Sequence, residues 1–169
     1  MDEVSLVIDL LTTTWSSSAT TLQSAGKISS DHTGTPNIID IRNMDKNKGV
    51  RYDLSSKDVI IVFEEGQNIE YPTIHFDIRN ETHTFTLHIR CIHDERAGTD
   101  GDFGKDRLEA LYLIARHALE SKRKGYTASD GTKFNQIFVG SRSESNDRNK
   151  RIFGYKVNIE TKRFALSVP

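Results

Sequence analysis

Four histidines are the side chains in this sequence with the most evident capacity for chemistry: His75, His83, His88 and His93. Imidazole is a common metal ligand and carries protons near neutral pH. These residues lie in a stretch of alternating polar and apolar residues, where only side chains an even number of positions apart share a face. His83 and His88 fail that test, and His83 and His93 would stand about 33 Å apart along an unbroken strand. The spacing therefore favours exposed or cross-strand polar histidines over a metal site.

An acidic loop from Asp100 to Asp106 resembles a calcium-binding turn in composition. Hard cations need several carboxylate oxygens on a tightly turning backbone. Here Lys105 takes the place of the turning glycine and Leu111 that of the bidentate glutamate. The loop is better interpreted as a turn that caps a following helix.

Glu160 and Lys162 form an acid-x-lysine triplet at the end of an apolar run. Many metal-dependent nucleases use this form, with the carboxylate holding the metal and the lysine positioning water. The preceding apolar run, 134–139, offers no partner aspartate. Cys91 lies in an alternating apolar run and is interpreted as a small buried hydrophobe. We therefore predict no catalytic centre, no metal site and no cofactor.

Composition limits the partners of the protein. The 169 residues fit one domain, and the formal net charge of −1 provides no global field toward nucleic acid or an anionic membrane. One cysteine allows no internal disulfide, and no apolar run approaches the ~20 residues of a membrane span. We expect an intracellular site of synthesis and no membrane partner.

An antiparallel hairpin near residues 73–93 is the clearest pair of elements in the sequence. Apolar and polar residues alternate over 73–78 and again over 84–91, with Asn80 and Glu81 at the expected turn. A second turn is expected at 65–68. An amphipathic helix should follow near 105–122, because its apolar residues recur at steps of three and four. Those residues are Leu108, Leu111, Tyr112, Ala115 and Leu119.

Other elements are shorter. Helical spacing predicts a short N-terminal amphipathic helix over 2–15, and β-rich runs predict strands at 37–42, 59–63, 134–139 and 153–159. The order of helix, strands, hairpin, helix and strands is typical of an α+β fold. We predict a mostly antiparallel sheet with a central hairpin, packed by the amphipathic helix and the short N-terminal helix.

Polar stretches separate these elements within a single domain, 1–169. Residues 12–35 are rich in Ser and Thr, so we expect an extended segment that orders against a partner. Residues 43–58 indicate an exposed excursion, and 141–150 a charged loop.

The whole pattern resembles the tail-terminator, or tail-completion, proteins of long-tailed viruses of bacteria and archaea. The resemblance is architectural and covers most of the chain, whereas the polar segments 12–35 and 43–58 are longer than a minimal member needs. The segments that carry the resemblance are VSLVIDLL, TIHFDIRNETHTFTLHIRCIHD, DRLEALYLIARHAL and FGYKVNIETKRF.

The resemblance implies a structural virion protein at the tail–neck junction, synthesised in the host cytoplasm. Such proteins form a ring, usually of six copies, on the head-facing end of the tail tube, where they stop tube growth and join the tail to the neck. The implied partners are further copies of the chain, the tail tube protein, a neck or head-completion protein, and passing viral DNA without sequence specificity. The candidate subunit interface is Thr84, Thr86, His88 and Arg90. The candidate neck, tube or lumen loop residues are Lys46, Lys48, Arg142, Arg148 and Lys150.

Three alternatives remain at the level of sequence. A neck or head-completion connector is the nearest, because it too is a small α+β ring former. A metal-dependent nuclease using Glu160 and Lys162 belongs to a different class. The third is a host-side binding module that works as a monomer.

Overall fold

The computed structural model of the chain describes residues 1–40, 58–72, 78–92, 103–146 and 152–166. Two α-helices and a five-stranded sheet make up most of this part. The helices are α1 (Glu3–Ser24) and α2 (Phe103–Ser121), and a 3₁₀ turn covers Ser30–His32. The sheet strands are β1 (Asn37–Asp40), β2 (Asp58–Glu70), β3 (Ile78–Ile92), β6 (Gln136–Glu144) and β7 (Ile152–Leu166); β4 (Tyr126–Thr127) and β5 (Lys133–Phe134) form a separate two-stranded ribbon.

The sheet has the strand order β1-β2-β3-β7-β6 and is mostly antiparallel. Only the pairing of β1 with β2 is parallel among the described strands. The central strands β3 and β7 pair without a register shift from Ile78 opposite Leu166 to Ile92 opposite Ile152. This arrangement confirms the predicted α+β fold with a mostly antiparallel sheet.

Both helices lie on one face of the sheet, which we call the helix face. Alternate residues of β3, from Phe85 to Cys91, point into a single apolar core together with Val157 and Ile159 of β7. The predicted burial of Cys91 is confirmed. The helices contribute side chains that are almost wholly removed from water, and their burial is the main favourable term for the fold. These include Leu6, Leu10, Leu11, Trp15, Leu111, Ile114 and Leu119.

Helix α1 runs nine residues past the predicted end at Trp15, to Ser24. Asp2 begins it by accepting a hydrogen bond from the Ser5 amide at 2.8 Å, as an N-cap does. The polar tract that follows stays helical because Ser18 and Ala19 are buried, and its hydroxyl groups donate to carbonyls one turn back. The prediction of an extended segment over 12–35 is therefore wrong for 12–24.

Arg107 of α2 orders the rest of that polar segment. Its guanidinium is 4% exposed and donates to the carbonyls of His32 and Gly34, the latter at 2.7 Å. Its Nε donates to Asp58 Oδ2 at 2.9 Å. The segment after α1 is thus held at His32 and Gly34 by contacts within the same chain.

The hairpin lies earlier in the chain than predicted. Strand β3 runs unbroken through Asn80 and Glu81, because it pairs with β2 on one side and β7 on the other. The expected turn at 65–68 is also absent, since β2 continues to Glu70 across a bulge between Glu64 and Gly66. The hairpin therefore joins β2 to β3, and its expected first strand over 73–78 lies largely outside the described residues.

The second half of the fold follows the prediction more closely. Helix α2 matches the predicted 105–122, and Gly125 after it has a φ of +124°, where a Cβ would lie 3.2 Å from the Phe134 carbonyl oxygen. Strand β7 contains the predicted run 153–159. The predicted charged loop 141–150 is partly strand, because β6 continues to Glu144. None of the described helices is long and apolar enough to span a membrane.

Candidate functional site

The four predicted interface residues share the face of the sheet opposite the helices, which we call the outer face. Their neighbours in β3, from Phe85 to Cys91, point into the core, so the predicted alternation is correct. Their exposure differs, however. Thr84 is exposed, His88 and Arg90 are half-buried, and Thr86 is only 3% exposed. Thr84, His88 and Arg90 are therefore available to a partner, whereas Thr86 is not.

Thr86 is buried by its cross-strand neighbours. Its hydroxyl hydrogen-bonds to the Glu65 carboxylate from the bulge in β2, and also lies 3.2 Å from Asn158 Oδ1 of β7. The bulge supplies Glu65 as an extra residue that reaches across the strand pair. Thr86 thus links β2 and β7 to β3 on the outer face.

His88 lies between two cationic side chains on the outer face. Burial lowers the pKa of the imidazole, and the charges of Lys156 and Arg90 lower it further, while Glu65 opposes the shift. Lys156 is its direct cross-strand neighbour on β7. At neutral pH His88 is therefore an uncharged member of a locally basic strip.

Aromatic side chains and an ion pair complete the outer face. Phe63 is 39% exposed and Phe138 is 37% exposed. Lys162 Nζ lies 3.4 Å from Glu160 Oε1 and 5.4 Å from the centre of the Phe138 ring. A shallow groove between Thr84 and Glu160 has Phe138 in its wall. The outer face thus combines apolar rings with charged groups of both signs.

The arrangement of Glu160 and Lys162 gives little support to nuclease chemistry. Lys162 forms an ion pair with Glu160 itself, and both side chains are 39% exposed. Within the described residues, Glu160 belongs to no group of three side chains able to share a metal ion. The two side chains share the outer face, and they fit a solvated ion pair better than a metal-activating centre.

Arg142 has a structural position that the sequence did not indicate. It belongs to β6 instead of a loop, and Nη1 donates to both Glu109 carboxylate oxygens, at 2.9 and 2.7 Å. The guanidinium also lies 4.4 Å from the Tyr112 ring centre and 4.6 Å from that of Tyr155. It joins β6 and β7 to α2, so the predicted position of this residue in a loop is wrong. The other predicted loop residues, Lys46, Lys48, Arg148 and Lys150, lie outside the described residues.

A polar cluster on the helix face was missed by the sequence analysis. It consists of Glu3 at the start of α1, Glu64 of β2, and Glu81 and His83 of β3. Glu81 and His83 are each 5% exposed, although the sequence indicated a turn and an exposed histidine there. Their even spacing from Phe85 is the signal that could have placed them on the buried face.

Arginines flank the polar cluster. Arg79 pairs with Glu81, and Arg163 Nη1 lies 3.3 Å from Glu3 Oε1. His83 Nδ1 lies 2.6 Å from Glu64 Oε1. Buried charges of this kind are retained in proteins when they are paired or bind an ion.

The outer face and the polar cluster are the two candidate sites in the described part of the chain. Comparison of the sequence with protein-family models and with curated proteins gives no match. Function must therefore be inferred from the chemistry and geometry of these two sites.

Proposed function

We propose that this protein is a structural virion protein that forms a ring, of six copies, at the head-facing end of a viral tail tube. In this role it ends tube polymerisation and joins the tail to the neck. The observation that carries the proposal is the two-sided character of the sheet. Both helices cover one face, while the outer face presents the exposed rings of Phe63 and Phe138 beside the half-buried His88 and Arg90.

A face of this kind suits contact between copies. Protein interfaces concentrate aromatic and arginine side chains, and the alternating charges around Glu160 and Lys162 offer polar pairing at the rim. A ring requires a head-to-tail contact between two different surfaces of each copy. The outer face is the first surface that we assign to that contact.

Strand β6 offers a second surface. Within the described sheet it pairs only with β7, and most of its side chains are exposed. A strand with one unpaired edge can extend hydrogen bonding into a neighbouring chain. We propose that β6 of one copy meets the neighbouring copy, which would close the ring around a central passage.

The remaining partners follow from the same assignment. The tail tube protein would contact one side of the ring and a neck or head-completion protein the other, and viral DNA would pass through the lumen. The net charge of −1 suits a passage through which DNA slides without being gripped.

A neck or head-completion connector shares each of these features. Binding assays separate the two assignments, because a terminator binds the end of an assembled tail tube, whereas a connector binds the head side of the junction. The nuclease alternative makes a different prediction: divalent-dependent DNA cleavage that is lost in Glu160→Ala.

The ring proposal is tested by reversing charge on the outer face. Arg90→Glu should leave the chain folded, because Arg90 is half-buried and outside the apolar core, but should prevent ring formation. Arg116→Glu is the matched control: it makes the same charge change on an exposed residue of α2. Mass photometry and negative-stain images measure assembly, with tail tubes added because some rings form only on their tube.

We expect rings in the wild-type protein and in Arg116→Glu, and monomers in Arg90→Glu. Circular dichroism shows that each variant is folded. A wild-type chain that stays monomeric both alone and with tail tubes would contradict the proposal, and so would rings in Arg90→Glu.

A further inference from the structure

The imidazole of His83 is held in one orientation by a carboxylate. Nδ1 lies 2.6 Å from Glu64 Oε1, and in a neutral imidazole with the proton on Nδ1 the lone pair is on Nε2. Nε2 lies 3.5 Å from Gln67 Nε2 and 3.9 Å from Glu81 Oε2, and both distances are longer than a good hydrogen bond. A carboxylate behind one ring nitrogen and an open lone pair on the other is the arrangement of metal-binding histidines.

Two further carboxylates lie close to the imidazole. One ligand atom each from Glu3, Glu81 and His83 lies within 4.8 Å of the other two. Ligands about 2 Å from a tetrahedral zinc ion are about 3.3 Å apart. The 3.9 Å between His83 Nε2 and Glu81 Oε2 is thus close to a binding geometry and needs a contraction of well under 1 Å.

The charge of the cluster also favours a cation. Glu3, Glu64 and Glu81 supply three carboxylates, whereas Arg79 and Arg163 supply two guanidinium groups. One negative charge is therefore uncompensated when the imidazole is neutral. The arginine side chains are 39% and 36% exposed, so they can rotate into solvent when an ion arrives.

We propose that Glu3, Glu81 and His83 bind a divalent transition-metal ion of the Zn²⁺ class, with Glu64 orienting the imidazole. One nitrogen and two oxygen ligands suit Zn²⁺, whereas Mg²⁺ and Ca²⁺ take oxygen ligands alone. Rotation of the Gln67 amide would bring its oxygen toward the site as a fourth ligand. The ion would fasten the first turn of α1 to β3, so its role is structural. This inference does not depend on ring formation.

The test is Zn²⁺ binding to the purified full chain after treatment with EDTA. Isothermal titration should give one Zn²⁺ per chain, and the midpoint of thermal unfolding should rise with Zn²⁺ concentration. His83→Gln and Glu81→Gln each remove a ligand and should weaken affinity by about tenfold or more. Glu64→Gln removes the orienting carboxylate and should weaken affinity by about 10- to 100-fold.

Glu120→Gln is the control, because it alters an exposed carboxylate on α2 outside the polar cluster and should retain wild-type affinity. Glu3→Gln tests the site if the strand variants fail to fold, since Glu3 is in the first turn of α1. The proposal is overturned if Zn²⁺ does not shift the unfolding midpoint. It is equally overturned if Glu3→Gln and every folded strand variant bind Zn²⁺ as wild type does, or if Glu120→Gln abolishes binding.

Discussion

At the scale of single residues, Arg107 holds three separate parts of the chain together. Its guanidinium joins α2 to the carbonyls after α1 and to Asp58 at the start of β2. Both side chains of the Arg107–Asp58 pair are nearly removed from water, at 5% and 11% exposure. Loss of one member would leave the other charge buried, which is far more costly than loss of a surface pair.

Arg107→Leu should therefore lower the free energy of unfolding by about 3–5 kcal/mol. Arg116→Leu is the control, because Arg116 forms an exposed pair with Glu120 one turn along α2. We expect the control to lose no more than about 0.5 kcal/mol. Urea unfolding followed by circular dichroism measures both, and equal losses in the two variants would contradict the anchoring role of Arg107.

His88 makes stability depend on pH in a defined direction. Its pKa is lowered from 6.5 in the folded protein, mainly by burial and then by Lys156 and Arg90. The unfolded chain therefore binds a proton first as pH falls through about 6.5, and the folded state loses stability from there downward. His32 has a lowered pKa as well and contributes in the same direction.

His88→Gln should flatten part of this acid-side loss, with the remainder due to His32. Lys156→Gln should flatten it less, because it removes one repelling charge and leaves the burial. Urea unfolding at pH 7.5, 6.5 and 5.5 measures the slope. An unchanged slope in His88→Gln would mean that the imidazole takes up its proton equally well in the folded and unfolded states.

At the scale of elements, the close approach of β6 and β7 depends on a glycine. A Cβ at Gly154 would lie 2.6 Å from the Ser145 carbonyl oxygen, a backbone atom that cannot rotate away. The Ser145 amide donates back to the Gly154 carbonyl at 2.8 Å, so the two strands are fixed here. The free edge of the sheet is thus positioned by this contact.

Gly154→Ala should destabilise the protein by about 1–3 kcal/mol, because the strands must separate to admit a methyl group. Gly66→Ala is the matched strand control, since its Cβ would meet only Thr84 Oγ1, at 3.6 Å. That variant should be neutral or stabilising by up to about 1 kcal/mol. Thermal unfolding of the two variants distinguishes them. An unchanged stability in Gly154→Ala would show that β6 can move away from β7 at little energetic cost.

Local patterns predicted the elements whose burial follows a strict period. The apolar spacing of α2 and the alternation from Phe85 to Cys91 were sufficient, because each has one face on the core. Where pairing overrides local preference, the patterns failed. Asn80 and Glu81 resemble a turn but lie between two strands, and the Ser- and Thr-rich end of α1 is helical because Trp15 and Ala19 dock on the core.

The candidate sites divide in the same way. The residues of the outer face were predicted from period-two alternation alone. Thr86 lies on this face as predicted but is buried, because a bulge in β2 brings Glu65 over its side chain. Strand spacing could have placed Glu81 and His83 on the helix face. It could not predict that Glu3 joins them, because Glu3 lies far away in sequence, at the start of α1. Long-range convergence of this kind depends on how helices and strands pack.

At the scale of the whole molecule, the described part of the chain is a sheet with both helices on one face and a mixed outer face, where Phe63 and Phe138 are exposed but Val59 and Ile61 are buried. The apolar core and the Arg107 and Arg142 anchors all lie on the helix side, so substitutions on the outer face are expected to alter association more than folding. The variants proposed above use this separation: Arg90→Glu tests assembly, whereas Arg107→Leu and Gly154→Ala test the scaffold.

The uninterrupted ladder of β3 and β7 gives this scaffold a mechanical property. Each strand has 15 residues, and at ~3.3 Å per residue the pair is about 50 Å long. A pull along the strands would load all the hydrogen bonds between them at the same moment, instead of opening them one by one. We therefore expect the paired strands to resist extension along their length and to transmit tension from one end of the sheet to the other.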